Sequence, residues 1–358
     1  MMSILGDRIL RTCKVDRALC RAMLLMAAEP LIFSIEQGTA RSTMNLTEIS
    51  APDFDLAMTL DSGQVFHWEK AGEGFIGAIG DLAVYVEQNG NSLKVCDGEA
   101  RTRSPRRPFP GAVAHYFALD HPLSEICASF PDDPVMRAAR EFCRGLKIIR
   151  QPKWECLATF ICSSMKQVTH IRQISRKLRE RFGETQQVDN YIVHTFPSAA
   201  RISASSEREL RKCGLGYRAN TLLATARLVA SGDVDLEKLS ILTDVDLRAR
   251  LCELQGVGAK VANCVMLFAY ERLRAFPIDV WIERVLREKY FPRARKLNAG
   301  RLRAFTERYF GDHGGYAQQY LFHHARMSKA LEGRALSRPK KFRTTRMSSL
   351  HDKGASIR

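Results

Sequence analysis

Between Leu254 and Asp279 the chain reads L-Q-G-V-G-A-K-V-A-N-C, then an apolar stretch, then F-P-I-D-V. Gly256 and Gly258 allow a tight turn between two helices and let bare backbone N–H groups approach a phosphate. Lys260 stands in the first turn of the helix leaving that hairpin, and Asp279 follows 19 positions later. The positive end of a helix dipole disfavours an ammonium ion, and burial against Val261 and Cys264 adds to this; an uncharged amine is a nucleophile for a sugar C1′. Asp279 comes after Pro277 and before a helical stretch, which predicts an N-cap. A carboxylate fixed in that way can stabilise positive charge on a sugar as its base departs, and can assist proton transfers at the amine. Taken singly, each feature has a plainer reading: a helix corner, a phosphate-binding surface lysine, a cap. Taken together they point to the cutting of a base from its sugar.

The elements that must hold these groups follow from hydrophobic period. From Met44 to about Asp97 the period approaches two. Phe75 to Ile79, Leu82 to Glu87 and Leu93 to Cys96 read as strands, with Asn89-Gly90 as the hairpin turn between the last two. Thr102 to Gly111 reads as an exposed loop rich in proline and arginine. After Ala114 the pattern is helical almost to the end. Pro152 opens a helix carrying Trp154, Leu157, Phe160, Ile161 and Ser164 on one face. Val168, Ile171, Ile174 and Leu178 continue as a second helix that stops at Gly183. Further helices run over Glu207 to Cys213, over Arg218 to Ala230 before Gly232, and from a Thr243 cap to Leu254. The expected division is a detached leader over 1–43, a β-rich domain with following helices over 44–150, a helical domain over 151–334, and a disordered basic tail over 335–358.

Bulk composition narrows the partners. The 358 residues have room for two or three packed domains, and a net charge of +16 favours a polyanion without identifying it. The ten cysteines contain no C-x-x-C pair, which speaks for reduced thiols in an intracellular protein and against a disulfide framework or zinc site. None follows Cys264, so an iron–sulfur loop beyond the hairpin is excluded. The apolar stretch Ala22 to Phe33, broken by Glu29 and Pro30, falls short of the roughly 20 residues of a membrane span.

Four further blocks accompany the hairpin: S-G-Q-V-F-H-W at 62–68, R-Q-P-K-W-E-C-L-A-T-F-I-C-S-S at 150–164, G-L-G-Y-R-A at 214–219 and G-Y-A-Q-Q-Y-L-F at 315–322. With these five in order, the chain resembles the helix-hairpin-helix DNA glycosylases, and within them the 8-oxoguanine DNA glycosylases, from about Met44 to about Arg334. The resemblance implies an α+β fold, an N-terminal antiparallel sheet domain packed on an all-helical helix-hairpin-helix domain. It implies a bifunctional DNA glycosylase/AP lyase acting as a monomer on oxidised guanine in duplex DNA, with no metal or organic cofactor and no membrane. By resemblance Lys260 is the Schiff-base lysine and Asp279 the catalytic aspartate. Gly63 matches the glycine whose carbonyl accepts the N7–H of the oxidised purine. Cys264 and Phe322 match the pair that sandwiches the flipped base, and Gln318 the amide that reads its Watson–Crick edge. Tyr217 matches the wedge in the base stack and Arg218 a residue holding the orphaned cytosine.

The chain departs from the family at three places. Met165, Lys166 and Gln167 stand where N-N-N is common, and His170 where an arginine helps to read cytosine, which predicts looser discrimination of the opposite base. Trp281 stands where animal-type enzymes carry a phosphate-touching histidine, and Ala325 where they carry its supporting carboxylate. Arg284, one turn on, is then expected to supply charge to the phosphate. Two other functions fit parts of the pattern: a related glycosylase for other damaged bases, and a non-catalytic helix-hairpin-helix DNA-binding protein. The first usually has a four-cysteine cluster or lacks the lysine, and the second gives no reason for Lys260, Asp279 and Gln318 to occur together.

Overall fold

Period-2 patterning in the first hundred residues becomes a five-stranded antiparallel sheet in the computed structural model, which describes residues 44–98, 109–164, 166–294 and 296–336. A short edge strand, β1 (Thr47–Ser50), precedes helix α1 (Leu56–Asp61), which Asp55 caps by accepting from the Met58 amide at 2.8 Å. Strands β2 (Glu69–Ala71), β3 (Gly74–Ile79), β4 (Leu82–Asn89) and β5 (Ser92–Asp97) complete the sheet in the order β1-β5-β4-β3-β2. Asn89 pairs with Ser92 across Gly90, whose φ of +57° a glycine adopts without cost, so the expected turn is in place. The two short edge strands escaped the sequence reading.

Two layers cover this sheet. On one face Val84, Val86, Leu93 and Val95 pack with Phe54, Leu60 and Phe117 and with Val113 and Tyr116 of α2 (Phe109–Tyr116). The loop expected over Thr102 to Gly111 therefore ends earlier, because Phe109 and Pro110 already belong to a first helical turn, where a missing N–H is harmless.

The remainder is mostly helical. Helices α3 (Leu123–Ala128), α4 (Pro134–Phe142), α5 (Lys153–Ser163) and α6 (Val168–Phe182) come first, with Pro152 before α5 and Gly183 after α6 as expected. An unexpected hairpin follows, β6 (Thr185–Val188) and β7 (Tyr191–His194), so this part is not all-helical. Its Val188 and Val193 pack on Ile76, Ala78, Ala83 and Tyr85, the second face of the sheet. That contact explains why Ala83 to Val86 are buried in succession where alternation was expected.

Helices α7 (Ala199–Ser203), α8 (Glu207–Lys212), α9 (Arg218–Ser231), α10 (Asp244–Cys252), α11 (Ala259–Ala269), α12 (Val280–Val285), α13 (Ala299–Tyr309) and α14 (Gly314–Leu336) follow. Thr243 caps α10 as expected, but the helix stops at Cys252, two residues short of Leu254. Helix α14 runs past the tail boundary placed at 335. From Met44 onward sheet and helices make one compact unit. Expectations for 1–43, for 102–108, for Met165 and for the tail beyond 336 fall outside the described residues. Among the described residues no helix is long and apolar enough to cross a membrane.

Candidate active site

The hairpin turns tightly at Gly256, whereas Gly258, also expected to be needed for the turn, has ordinary extended backbone. Val257 N–H donates to the Leu254 carbonyl at 3.0 Å, closing the turn. Gly256 takes φ +75°, and a Cβ there would meet Thr221 Cγ2 at 2.5 Å. Gly258 is the N-cap residue of α11, extended at φ −92° and ψ 179°, with open space where a Cβ would be. No side chain caps α11. Its first amides are therefore left for an outside acceptor, and phosphate is the acceptor that such a terminus suits.

Lys260, in the first turn of α11, reaches across to α5. Its Nζ donates to Ser163 Oγ at 3.3 Å and lies 5.1 Å from the centre of the Phe160 ring, so a hydroxyl and an aromatic floor fix the amine. Phe160 is in turn stacked on Phe268 of α11 at 5.5 Å, which locks the two helices together. Asp279 caps α12, accepting from the Ile282 amide at 2.9 Å. Burial raises its carboxyl above the usual aspartate value, while the Ile282 amide and the Lys260 charge pull the other way. Cys264, one turn beyond Lys260, is buried; burial pushes its thiol up to about 11, opposed by Lys260 and reinforced by Asp279. It therefore stays an uncharged thiol at neutral pH. Lys260, Cys264 and Asp279 thus share one electrostatic neighbourhood, with the amine's hydrogen bond going to Ser163.

A second group gathers around Gly63. Its φ is +85°, and a Cβ there would lie 3.0 Å from Phe322 Cε1 and 3.7 Å from Val168 Cγ2, so the strand-side loop rests on α14 and on the start of α6. The backbone on either side is tied down. Gln64, fully buried, donates to the Thr59 carbonyl at 3.2 Å and the Lys147 carbonyl at 2.8 Å and accepts from the Ile149 amide at 2.8 Å. Gln319 donates to the Ser62 carbonyl at 2.8 Å, and Gln151 to the Gln64 carbonyl at 2.7 Å. Among the described residues nothing donates to the Gly63 carbonyl itself. Gln318, on α14, is buried with its Oε1 unpartnered. A buried acceptor without a donor costs about 1–3 kcal/mol, so it marks a place where a ligand N–H can contribute.

The remaining predicted residues are Tyr217, Arg218, His170 and Arg284. Tyr217 is 61% exposed, a large apolar side chain presented to solvent, with the Arg218 guanidinium 4.3 Å from its ring centre. Arg218 is itself buried and donates to the carbonyls of Ser164 and Leu215, so in this form its fork is engaged with backbone rather than open to a base. His170 is exposed in the first turn of α6. Trp281 stands between two cations: Arg284 at 5.8 Å and Lys329 at 5.5 Å from its ring. Sequence reasoning gave no role to Ser163, Phe160, Gln319 or Lys329. The first three lie inside the recognised blocks, yet their partners come from distant segments, and no local pattern announces such contacts.

The sequence model of a family described as 8-oxoguanine DNA glycosylase, N-terminal domain, matches residues 47–157. The N-glycosylase/DNA lyase OGG1 of Arabidopsis thaliana is 30% identical over 287 residues, covering 77% of this chain and 78% of its own. A probable N-glycosylase/DNA lyase of Methanothermobacter thermautotrophicus is 28% identical over 312 residues, covering 79% and 97%. Among solved structures, the Clostridium acetobutylicum 8-oxoguanine glycosylase/lyase, in complex with duplex DNA carrying cytosine opposite 8-oxoG, aligns with a TM-score of 0.71 at 27% identity. The match covers 79% of this chain and 98% of that one.

Proposed function

The chain belongs to the 8-oxoguanine DNA glycosylase family, and on that premise we propose that it is a bifunctional DNA glycosylase/AP lyase excising 8-oxoguanine from duplex DNA, with Lys260 as its nucleophile. The observation that carries this reading is the amine of Lys260, held by Ser163 over Phe160 within the field of the capped Asp279.

The chemistry follows from these positions. The damaged nucleotide leaves the stack at a cost of a few kcal/mol, offset by phosphate on the amides after Gly258 and by Tyr217 filling the gap. The Lys260 nitrogen bonds to C1′ as the C1′–N9 bond breaks, and the base departs with the bonding pair and a proton. Asp279 stabilises the positive charge that spreads over the sugar and serves proton transfers at the amine. Ring opening gives an imine, loss of a C2′ proton breaks the 3′ C–O bond, and water returns the lysine. Selection rests on Gly63. Its carbonyl accepts the N7–H that 8-oxoguanine has, whereas guanine would oppose two acceptors there. Gln318 Oε1 accepts from the purine's Watson–Crick edge, and Cys264 and Phe322 flank the ring. His170 and Arg284 contact the DNA around the lesion, and Arg218 joins them only by releasing the Ser164 and Leu215 carbonyls. On the same reading the protein acts as a monomer on duplex DNA inside the cell, with no cofactor.

The test is borohydride trapping on a duplex carrying 8-oxoguanine. A covalent protein–DNA adduct is expected with the native chain and none with Lys260→Gln. Trapping that survives the substitution would move the nucleophile elsewhere.

A further inference from the structure

Helix α14 does more than contribute Gln318 and Phe322. Two of its side chains, Gln319 and Arg326, grip consecutive carbonyls at the end of α1. Gln319 Nε2 donates to the Ser62 carbonyl at 2.8 Å, and the Arg326 guanidinium donates to the Asp61 carbonyl. The two residues are seven positions apart, two helical turns, which puts both on one face. The carbonyls they hold are those a helix C-terminus leaves without partners. The next residue is Gly63, whose carbonyl has no donor among the described residues.

Arg326 has further neighbours through the same Nη2 end, while its buried Nε has no partner among the described residues. It lies 3.6 Å from the Asp61 carboxylate, which Arg172 of α6 binds at 2.8 Å. It meets His323 Nδ1 at 3.1 Å, and burial together with the Arg326 charge lowers that imidazole to about 4, so His323 is a neutral acceptor. Its guanidinium sits 6.0 Å from the centre of the Phe322 ring, the ring that Gly63 touches. One side chain therefore joins the glycine loop, the stacking aromatic and, through Asp61, the helix that starts at Val168.

We propose that Arg326, with Asp61, is a positioning residue for damage recognition: it fixes the Gly63 carbonyl relative to Phe322, and so sets selection of the oxidised purine without touching the base. This rests on the function proposed above. The distinction between a carbonyl that meets an N7–H and one that does not depends on its placement within fractions of an ångström, and a donor pair holding the two preceding carbonyls provides that placement. The amine at Lys260 is held by α5 instead, so the clamp bears on base choice and not on strand nicking.

The experiment compares two substrates with the full chain: a duplex with 8-oxoguanine opposite cytosine, and the same duplex with a preformed abasic site, which needs no base recognition. Arg326→Met keeps the apolar stem and removes the fork. Release of 8-oxoguanine is expected to lose about 10- to 100-fold in kcat/KM, with nicking of the abasic duplex within about twofold of native. Arg326→Lys should recover part of the loss. Asp61→Asn, at a half-exposed side chain, should shift the same ratio in the same direction. Parallel loss on both substrates, or unchanged base release in both variants, would overturn the proposal. A native chain without activity on either duplex would instead overturn the function on which it rests.

Discussion

Asp279 has two tasks that one substitution separates. Its side chain caps α12 through the Ile282 amide, and its charge lies in the field of Lys260. Asparagine is as good a cap as aspartate, so Asp279→Asn keeps the hydrogen bond and removes only the charge. Its stability should stay within about 0.5 kcal/mol of native, while turnover on 8-oxoguanine duplex falls on the order of 10²–10⁴-fold. Asp279→Ala should lose a further ~1 kcal/mol from the missing cap. Thermal melts beside single-turnover assays decide this; an asparagine variant of native rate would remove the carboxylate from the chemistry. Both tasks were legible in the sequence, because F-P-I-D-V carries a cap signal and a spacing from Lys260. What Lys260 touches was not: Ser163 lies 97 positions away, and only the packing of α11 on α5 brings it to the amine.

At the scale of elements the two hairpin glycines are not equivalent, though G-V-G reads symmetrically. Gly256 is needed by the fold, since φ +75° strains any other residue and a Cβ would collide with Thr221. Gly258 has an ordinary φ and open space, so the fold places no demand on it. Gly256→Ala is therefore expected to cost about 1–3 kcal/mol of stability, and Gly258→Ala less than about 0.5 kcal/mol. If the amides after Gly258 hold phosphate, the second variant should still weaken DNA binding, because its methyl stands where the phosphate approaches. Denaturation curves and binding titrations at one fixed salt concentration separate the two effects; equal stability losses would refute the asymmetry. The β6–β7 hairpin shows the opposite limit of sequence reading. Thr185–Val188 is polar and four residues long, too short for a period to register, and its strands persist because Val188 and Val193 meet a sheet face more than 80 positions earlier in the chain.

The whole molecule has the Gly63 loop at the seam between sheet and helices, and beside it lies a charged cluster the sequence did not reveal. Arg150 opens one of the recognised blocks, yet its partners are Asp120 and Glu271, and Glu271 also binds His121 at 2.9 Å. Next to it, Gln151 and Gln64 hold the backbone beside Gly63. Hydrogen bonds from His121 and Arg150 bring the Glu271 carboxyl from 4.5 down to about 2, and the Arg150 fork brings Asp120 down to about 2 as well. A carboxyl depressed by folding contributes stability that is fully present above its unfolded value and disappears as pH falls through the folded one. The window here is therefore from about pH 4.5 down to about 2. Glu271 is partly exposed, so solvent screening reduces the contribution to about 1 kcal/mol or less. In a chain of this length that corresponds to roughly 1–2 °C of melting temperature. Glu271→Gln should melt lower than native by about that much near neutral pH, and the gap should close as the medium is acidified through the window. The comparison between the two proteins matters more than either curve, because other carboxyls titrate over the same range in both. A gap that stayed constant with pH would mean that Glu271 supports the seam beside the Gly63 loop by shape alone, its charge contributing nothing.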